Sequence, residues 1–199
     1  MNAPNSPILR RADPDDARAI AQVRIDAWRT TYRGMIPEAY LAAMSVDDSE
    51  AMWRRVLTAG PNTASVFVAA NGVDVVGFAC GNMLDEPKHG LDAELTAIYL
   101  QRPFQRSGTG RRLVAAVLDA QRAHGATGLL TWVIAGNKGA RAFYEHLGAE
   151  LLIEQPFQWD GIDLVEAGYG WRDLDALALA TSAACRASMI SNRQFRRQQ

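Results

Sequence analysis

Gln105-Arg106-Ser107-Gly108-Thr109-Gly110-Arg111-Arg112-Leu113 is the stretch on which the reading of this chain turns. It stands between a strand-like run, Ala93 to Leu100, and a helical run, Gly108 to His124, which carries Leu113, Val117 and Ala120 on one stripe and closes at Gly125. Glycines at such a junction free backbone N–H groups to converge on an anion, and the helix N-terminus adds its partial positive charge. Arg102, Arg106, Arg111 and Arg112 fall within eleven positions with no acid among them. Two phosphate motifs are excluded by spacing. A P-loop needs a Gly-Lys pair, which the chain lacks, and a dinucleotide fingerprint needs glycine where Leu113 stands. Spacing alone leaves two readings, an anion cradle and a simple turn.

Outward from this junction run short strands and amphipathic helices. Downstream come a strand from Gly128 to Ile134, a helix from Lys138 to Leu147 ending at Gly148, and strand-like runs from Leu151 to Trp159 and Leu164 to Trp171. Upstream, Val66 to Ala70 and Val75 to Cys80 flank a turn at Asn71-Gly72, a hairpin signal, and a loop holding Asp85, Pro87 and Gly90 leads into the strand before the junction. Ile8 to Ala12 reads as a strand. Asp13-Pro14-Asp15-Asp16 supplies a cap and first-turn acids for a helix bearing Ala17, Ile20, Ala21, Val23 and Trp28. Gly34 and Pro37 end it, and Glu38 to Met44 and Ser49 to Leu57 are further helical pieces. This order describes a mixed sheet with helices on its faces, in one domain of the α/β (α+β) class.

With 199 residues, 48% apolar and 22% charged, the chain has ordinary globular composition and can bury a core. Its formal charge of −1 divides unevenly: no acid follows Asp175, and Arg186, Arg193, Arg196 and Arg197 leave residues 1–175 at −5. That balance gives no reason to expect nucleic acid or an anionic membrane as partner. The N-terminus has no apolar leader and no apolar run is long enough for a membrane span, so the expected location is the cytoplasm. Cys80 and Cys185 form neither a metal spacing nor a disulfide framework, and Cys80 lies in an apolar strand.

Two linked motifs now carry a resemblance. Gln105, Gly108 and Gly110 match the Q/R-x-x-G-x-G/A acetyl-CoA signature of the GCN5-related N-acetyltransferase superfamily, and the stretch from Asn137 to Gly148 resembles its N-x-x-A-x-x-F-Y-E-x-x-G motif. Glu94 to Leu100 is similar to the family's fourth strand, and Ala27 to Pro37 looks like the first-helix exit of bacterial members. Ala149 departs from the phenylalanine often found there. The likeness spans Ile8 to Asp173, so the expected organisation is a domain over 7–173 and a C-terminal extension over 174–199, a short helix and then a basic tail.

The resemblance implies a mostly antiparallel sheet of about seven strands with helices on both faces, the fourth and fifth strands splayed to admit acetyl-CoA. Gln105, Arg106, Ser107, Gly108, Thr109, Gly110 and Arg111 would bind the cofactor, with backbone N–H groups from Arg106 to Arg111 on its pyrophosphate. The backbone at Ile98, Tyr99 and Leu100 would pair with the pantetheine arm as an added strand, and Asn137 would bond it too. The implied activity is transfer of an acetyl group to a primary amine of a small molecule or peptide, by direct attack in a ternary complex. A non-catalytic acyl-CoA-binding regulatory module and a nucleotide-binding protein unrelated to coenzyme A are the alternatives.

Freeing a lysine-like amine of pKa ~10.4 at neutral pH costs roughly 4–5 kcal/mol, so a base is useful. Glu94 is proposed for it, directly or through water, alternation placing it on the face of Thr96, Ile98 and Leu100. Tyr144 can donate to the leaving thiolate without being charged, and strand N–H groups can polarise the thioester carbonyl. No covalent enzyme intermediate is expected: Cys80 sits on another strand, no G-x-S-x-G is present, and His89, His124 and His146 are scattered, with His124 suited to a helix end and His146 to the surface. Trp28 and Tyr32, four apart on a helix, are expected to wall the acceptor pocket, with Met35 and the loop from Asp85 to Leu91 beside them; packing on the core is the plainer reading of that pair. No metal is expected, and a homodimer is left open.

Overall fold

The computed structural model describes residues 6–60 and 64–182; Cys185 and the tail arginines Arg186, Arg193, Arg196 and Arg197 lie outside them. In chain order the elements are β1 (Ile8–Arg11), a 3-10 turn (Pro14–Asp16), α1 (Ala17–Thr31), α2 (Glu38–Ala43), α3 (Val46–Thr58), β2 (Ser65–Asn71), β3 (Asp74–Lys88) and β4 (Leu91–Leu100). There follow a second 3-10 turn (Arg102–Phe104), α4 (Thr109–Ala123), β5 (Leu129–Ile134), α5 (Lys138–His146), β6 (Glu150–Trp159) and β7 (Ile162–Trp171). A further helix covers residues 174–182.

The start of α1 shows how the local sequence builds its element. Asp13 and Asp16 form a reciprocal capping box, and Arg10 on β1 clamps the Asp16 carboxylate through two bonds of 2.6 and 2.7 Å. Burial alone would raise the Asp16 carboxyl, but the Arg10 bonds, the Asp13 N–H and the Arg10 charge outweigh it and hold it below the ordinary range.

The seven strands form one sheet in the order β1-β2-β3-β4-β5-β7-β6, antiparallel throughout except for the parallel β4–β5 pair. Helices α4, α5 and the 174–182 segment bury Leu113, Val117, Tyr144, Leu147, Leu174 and Leu177 on one face. α1 and α3 cover the other, packing Ile20, Val23 and Trp53 on Val66, Val68 and Phe78.

Three expectations are adjusted. The first hairpin turns at Gly72–Val73, one residue later than expected, with Asn71 opposite Asp74. The expected loop from Asp85 to Leu91 is mostly strand: β3 runs on to Lys88 and turns through His89 and Gly90, both at positive φ (52° and 75°), as a two-residue hairpin requires. The third concerns β4. Cys80 pairs with Ala97 but Gly81 pairs with Leu95, leaving Thr96 as an extra residue, a β-bulge whose hydroxyl donates to the Cys80 carbonyl at 3.1 Å. The bulge inverts the side-chain alternation. Ala93, Leu95, Ile98 and Leu100 join the core on the α4 side, while Ala97 and Tyr99 join the α1 side. Glu94, between Ala93 and Leu95, therefore shares a face with Ala97 and Tyr99, and not with Ile98 and Leu100 as strict alternation required.

Candidate active site

β4 and β5 are in register only at Ala93↔Leu129 and Glu94↔Leu130. Just beyond, the Thr131 hydroxyl donates to the Leu95 carbonyl at 2.9 Å, and from there the strands part. A cleft of about 880 Å³ opens at the parting, walled by residues 95–100 of β4, residues 131–133 of β5, the starts of α4 and α5, and Ala27, Thr31 and Tyr32 at the end of α1. A strand edge without a partner offers N–H and C=O groups to an extended ligand.

The start of α4 is shaped for an anion. Gln105 donates to the Leu100 carbonyl at 2.9 Å, and the Ser107 hydroxyl bonds the Phe104 carbonyl and, at 2.8 Å, the Thr109 hydroxyl. Arg106 (φ 57°) and Gly108 (φ 85°) are both left-handed, a backbone that turns successive N–H groups toward one point. α4 then begins at Gly108 with no side-chain cap, leaving the N–H groups of its first turn to the helix dipole's positive end. Arg106 and Arg111 line the cleft. Arg112 instead donates to the Pro7 carbonyl at 2.9 Å, and Arg102 is exposed outside the cleft lining, so the sequence cluster of four supplies two. The side chains of Ser107 and Thr109 hold the turn; what this stretch offers a ligand is backbone.

Asn137 caps α5 by accepting from the Ala140 N–H at 3.1 Å, lines the cleft and hydrogen-bonds Tyr32. Tyr144, two turns on, is 5% exposed and stands beside Thr131 at the parting of the strands. Burial pushes its phenol up to about 12, against a hydrogen bond with Thr131 and with the help of nearby Tyr99. Across the cleft, Tyr32 is 8% exposed and interacts with Tyr99 and Asn137, and burial again raises its phenol. Trp28 does not line the cleft: it packs behind Tyr32 with ring centroids 4.9 Å apart and donates its indole N–H to the Tyr99 hydroxyl at 2.8 Å. Of the expected aromatic wall, Tyr32 faces the cleft and Trp28 supports it.

Glu94 is half-buried on the α1 side of the sheet, outside the cleft lining. Burial raises its carboxyl, Lys88 opposes that and the charge of Glu166 adds to it. Cys80 is a buried thiol, raised by burial. His124 caps the end of α4, and His146 is exposed at the cleft rim. Sequence reading missed Thr131 and Glu166. Thr131 had a signal, being the only hydroxyl in the apolar run Leu129 to Ile134. Glu166 comes from β7, and only the sheet order brings it near Glu94. Among the described residues no group of three or more His, Cys, Asp or Glu is placed to hold a metal ion, and no helix is long and apolar enough to cross a membrane.

Comparison with known proteins follows the same lines. A model of the acetyltransferase (GNAT) family matches residues 25–149. YuaI of Bacillus subtilis, an uncharacterized N-acetyltransferase, is 37% identical over 170 residues, covering 85% of this chain and 95% of its own. A GCN5-related N-acetyltransferase structure from Rhodopseudomonas palustris superposes with a TM-score of 0.66 at 20% identity, over 85% of this chain and 98% of that one. The PaiA N-acetyltransferase of Thermoplasma acidophilum, in complex with coenzyme A, superposes with a TM-score of 0.63 at 18% identity, over 82% and 98%. A strand pair that parts beside an uncapped, glycine-bearing helix start, the family model over most of the domain and a close relative of nearly equal length agree: the chain belongs to the acetyltransferase (GNAT) family.

Proposed function

We propose that this protein is an acetyl-CoA-dependent N-acetyltransferase that moves an acetyl group to a primary amine of a small molecule or peptide, by direct attack within a ternary complex. The observation that carries the reading is the juxtaposition of an uncapped α4 N-terminus, two cleft-facing arginines and an unpaired β4 edge along one cleft. Their chemistry suits a phosphorylated, amide-bearing thioester: N–H groups at Arg106 to Arg111 for the pyrophosphate, the backbone of Ile98, Tyr99 and Leu100 and the amide of Asn137 for the pantetheine. The coenzyme A complex of the similarly folded PaiA protein supports this choice of ligand. Bound acetyl-CoA supplies an activated acyl carbon and a thiolate leaving group.

The remaining steps belong to the chain. The acceptor ammonium gives up one proton to free its lone pair and a second as the C–N bond forms, while the C–S bond breaks and sulfur leaves as a thiolate. Glu94, set back from the cleft, takes a proton of the nitrogen through an intervening water that passes the other to solvent, and the charge of Glu166 together with burial makes its carboxylate a stronger base than an exposed glutamate. Tyr144 serves the departing sulfur. A phenol held near 12 stays protonated at neutral pH, yet full transfer to a thiolate of pKa ~8.5 would be uphill by roughly 5 kcal/mol. Its part is to donate a hydrogen bond as charge develops on sulfur. Tyr32, opposite, borders the acceptor side.

The test is an acetyl-CoA turnover screen against polyamines, amino acids, aminoglycosides and peptide amines, repeated with Tyr144→Phe. The expected result is turnover with one amine class and a loss of about 100-fold in kcat in the variant, with coenzyme A affinity kept. Coenzyme A binding with no turnover of any amine would favour the regulatory module instead, and unchanged kcat in the variant would remove Tyr144 from the chemistry.

A further inference from the structure

α5 packs Ala140, Phe143, Tyr144 and Leu147 on the core, and of its nine residues Tyr144 is the one buried outright. A polar clamp adds to that packing. The Tyr169 hydroxyl, on β7, donates to the Glu145 carboxylate at 2.6 Å and accepts from the Arg141 guanidinium at 3.0 Å. Both partners are on α5, one turn apart, with Tyr144 between them in sequence. Arg141 is itself held, donating to the Ala135 carbonyl at 3.2 Å and pairing with Glu154 of β6 at 2.7 Å. Two residues along β7, the Trp171 indole N–H donates to the Leu147 carbonyl at 2.9 Å. The Tyr144 ring lies between these two aromatics, its centroid 6.1 Å from that of Tyr169 and 5.9 Å from that of Trp171.

We propose that Tyr169, gripped by Arg141 and Glu145, is a positioning residue that sets where the Tyr144 hydroxyl stands at the parting of β4 and β5. The lever is long. With the helix backbone at a radius of ~2.3 Å and a tyrosine extending beyond it, a rotation of about 10° moves the phenol oxygen by roughly 1.5 Å. Misplacement on that scale is enough to cost a large part of a catalytic group's contribution.

This inference rests on Tyr144 acting at the sulfur, and a double-mutant cycle separates the two claims. Acetyl-CoA and the best amine of the screen are the substrates, with coenzyme A binding and Tm measured alongside. Tyr169→Phe keeps the ring and removes the clamp: kcat is expected to fall about tenfold, with KM for acetyl-CoA and coenzyme A affinity within about twofold. In a Tyr144→Phe background the same change is expected to cost nothing more. Glu145→Leu should reproduce the Tyr169→Phe loss, and Glu145→Gln, which keeps an acceptor, should restore most of kcat. A loss of equal fold with and without the Tyr144 hydroxyl, or a fall in Tm with kcat unchanged, overturns the positioning role alone. Unchanged kcat in Tyr144→Phe itself overturns the underlying reading, and the positioning role with it.

Discussion

As the proposed base, Glu94 would serve catalysis by the same ionisation that weakens the fold. Its carboxyl is raised by burial and by Glu166, with Lys88 opposing. As a base it must be ionised, so kcat/KM falls as pH drops through its pKa, and the acid limb lies above the range of an exposed glutamate. Glu166→Gln removes a like charge and should move that limb to lower pH; Lys88→Met removes an opposite charge and should move it higher. Shifts of the same sign, or none, in the two pH–rate profiles would exclude Glu94 as the titrating base. The linkage has the opposite sense for stability. A folded-state pKa above the unfolded one contributes stability that is present below the unfolded value and lost as pH rises through the raised folded value. Glu94→Gln is therefore expected to give a slower protein that is more stable than the parent at neutral pH. Glu94 itself was legible as a candidate from its place in the strand. Its face was not, because one bulged residue, Thr96, reverses the alternation and nothing in the local pattern marks it.

The turn into α4 contains two glycines, and the structure shows why only the first has to be one. Gly108 has a φ of 85° with nothing within 4 Å of an added Cβ, so Gly108→Ala meets only the left-handed backbone penalty, about 1–2 kcal/mol. Gly110 is helical, and its Cβ would rest on the Phe143 ring at 3.5 Å, an ordinary contact. Alanine there favours the helix by up to ~1 kcal/mol. Gly108→Ala should lower Tm. Gly110→Ala should leave Tm unchanged or raised and coenzyme A affinity within about twofold, because the added methyl rests on Phe143 and the signature admits alanine there. Gly110→Trp, which puts a large ring into the cleft, should weaken coenzyme A binding by at least about tenfold; a Gly110→Trp protein with full affinity, measured by calorimetry, would contradict the proposed placement of the ligand. The helices, the hairpin and this turn were readable from local spacing because their determinants lie within a few residues. The parting of β4 from β5 was not readable that way, nor was the diversion of Arg112 to Pro7: each depends on partners far apart in the chain, and for these only the family likeness pointed ahead, and only to the first.

At the scale of the whole molecule the open matter is where the domain ends. The family model matches residues 25–149 and the expected domain boundary is Asp173, yet the helix over 174–182 is packed on the central core: Leu174 and Leu177 are buried among Leu113, Leu118 and Trp171. Asp175 also pairs with Arg122 on α4, but Asp175 is largely exposed, and such pairs contribute ~0–1 kcal/mol. Removing one buried leucine side chain commonly costs 2–5 kcal/mol, so the two leucines dominate, and together they approach the whole stability of a typical domain at roughly 5–15 kcal/mol. Beside a chain ending at Ser182, one ending at Asp173 should unfold at markedly lower urea or fail to accumulate, and Leu177→Ala should reproduce part of that loss where Asp175→Ala does not. Equal midpoints for the two truncations would mean that the helix only rests on a core complete without it. The expected outcome instead makes these residues part of the catalytic domain, because α4, whose N-terminus is the proposed anion cradle, is held against the sheet along one side by the same cluster that buries Leu174 and Leu177.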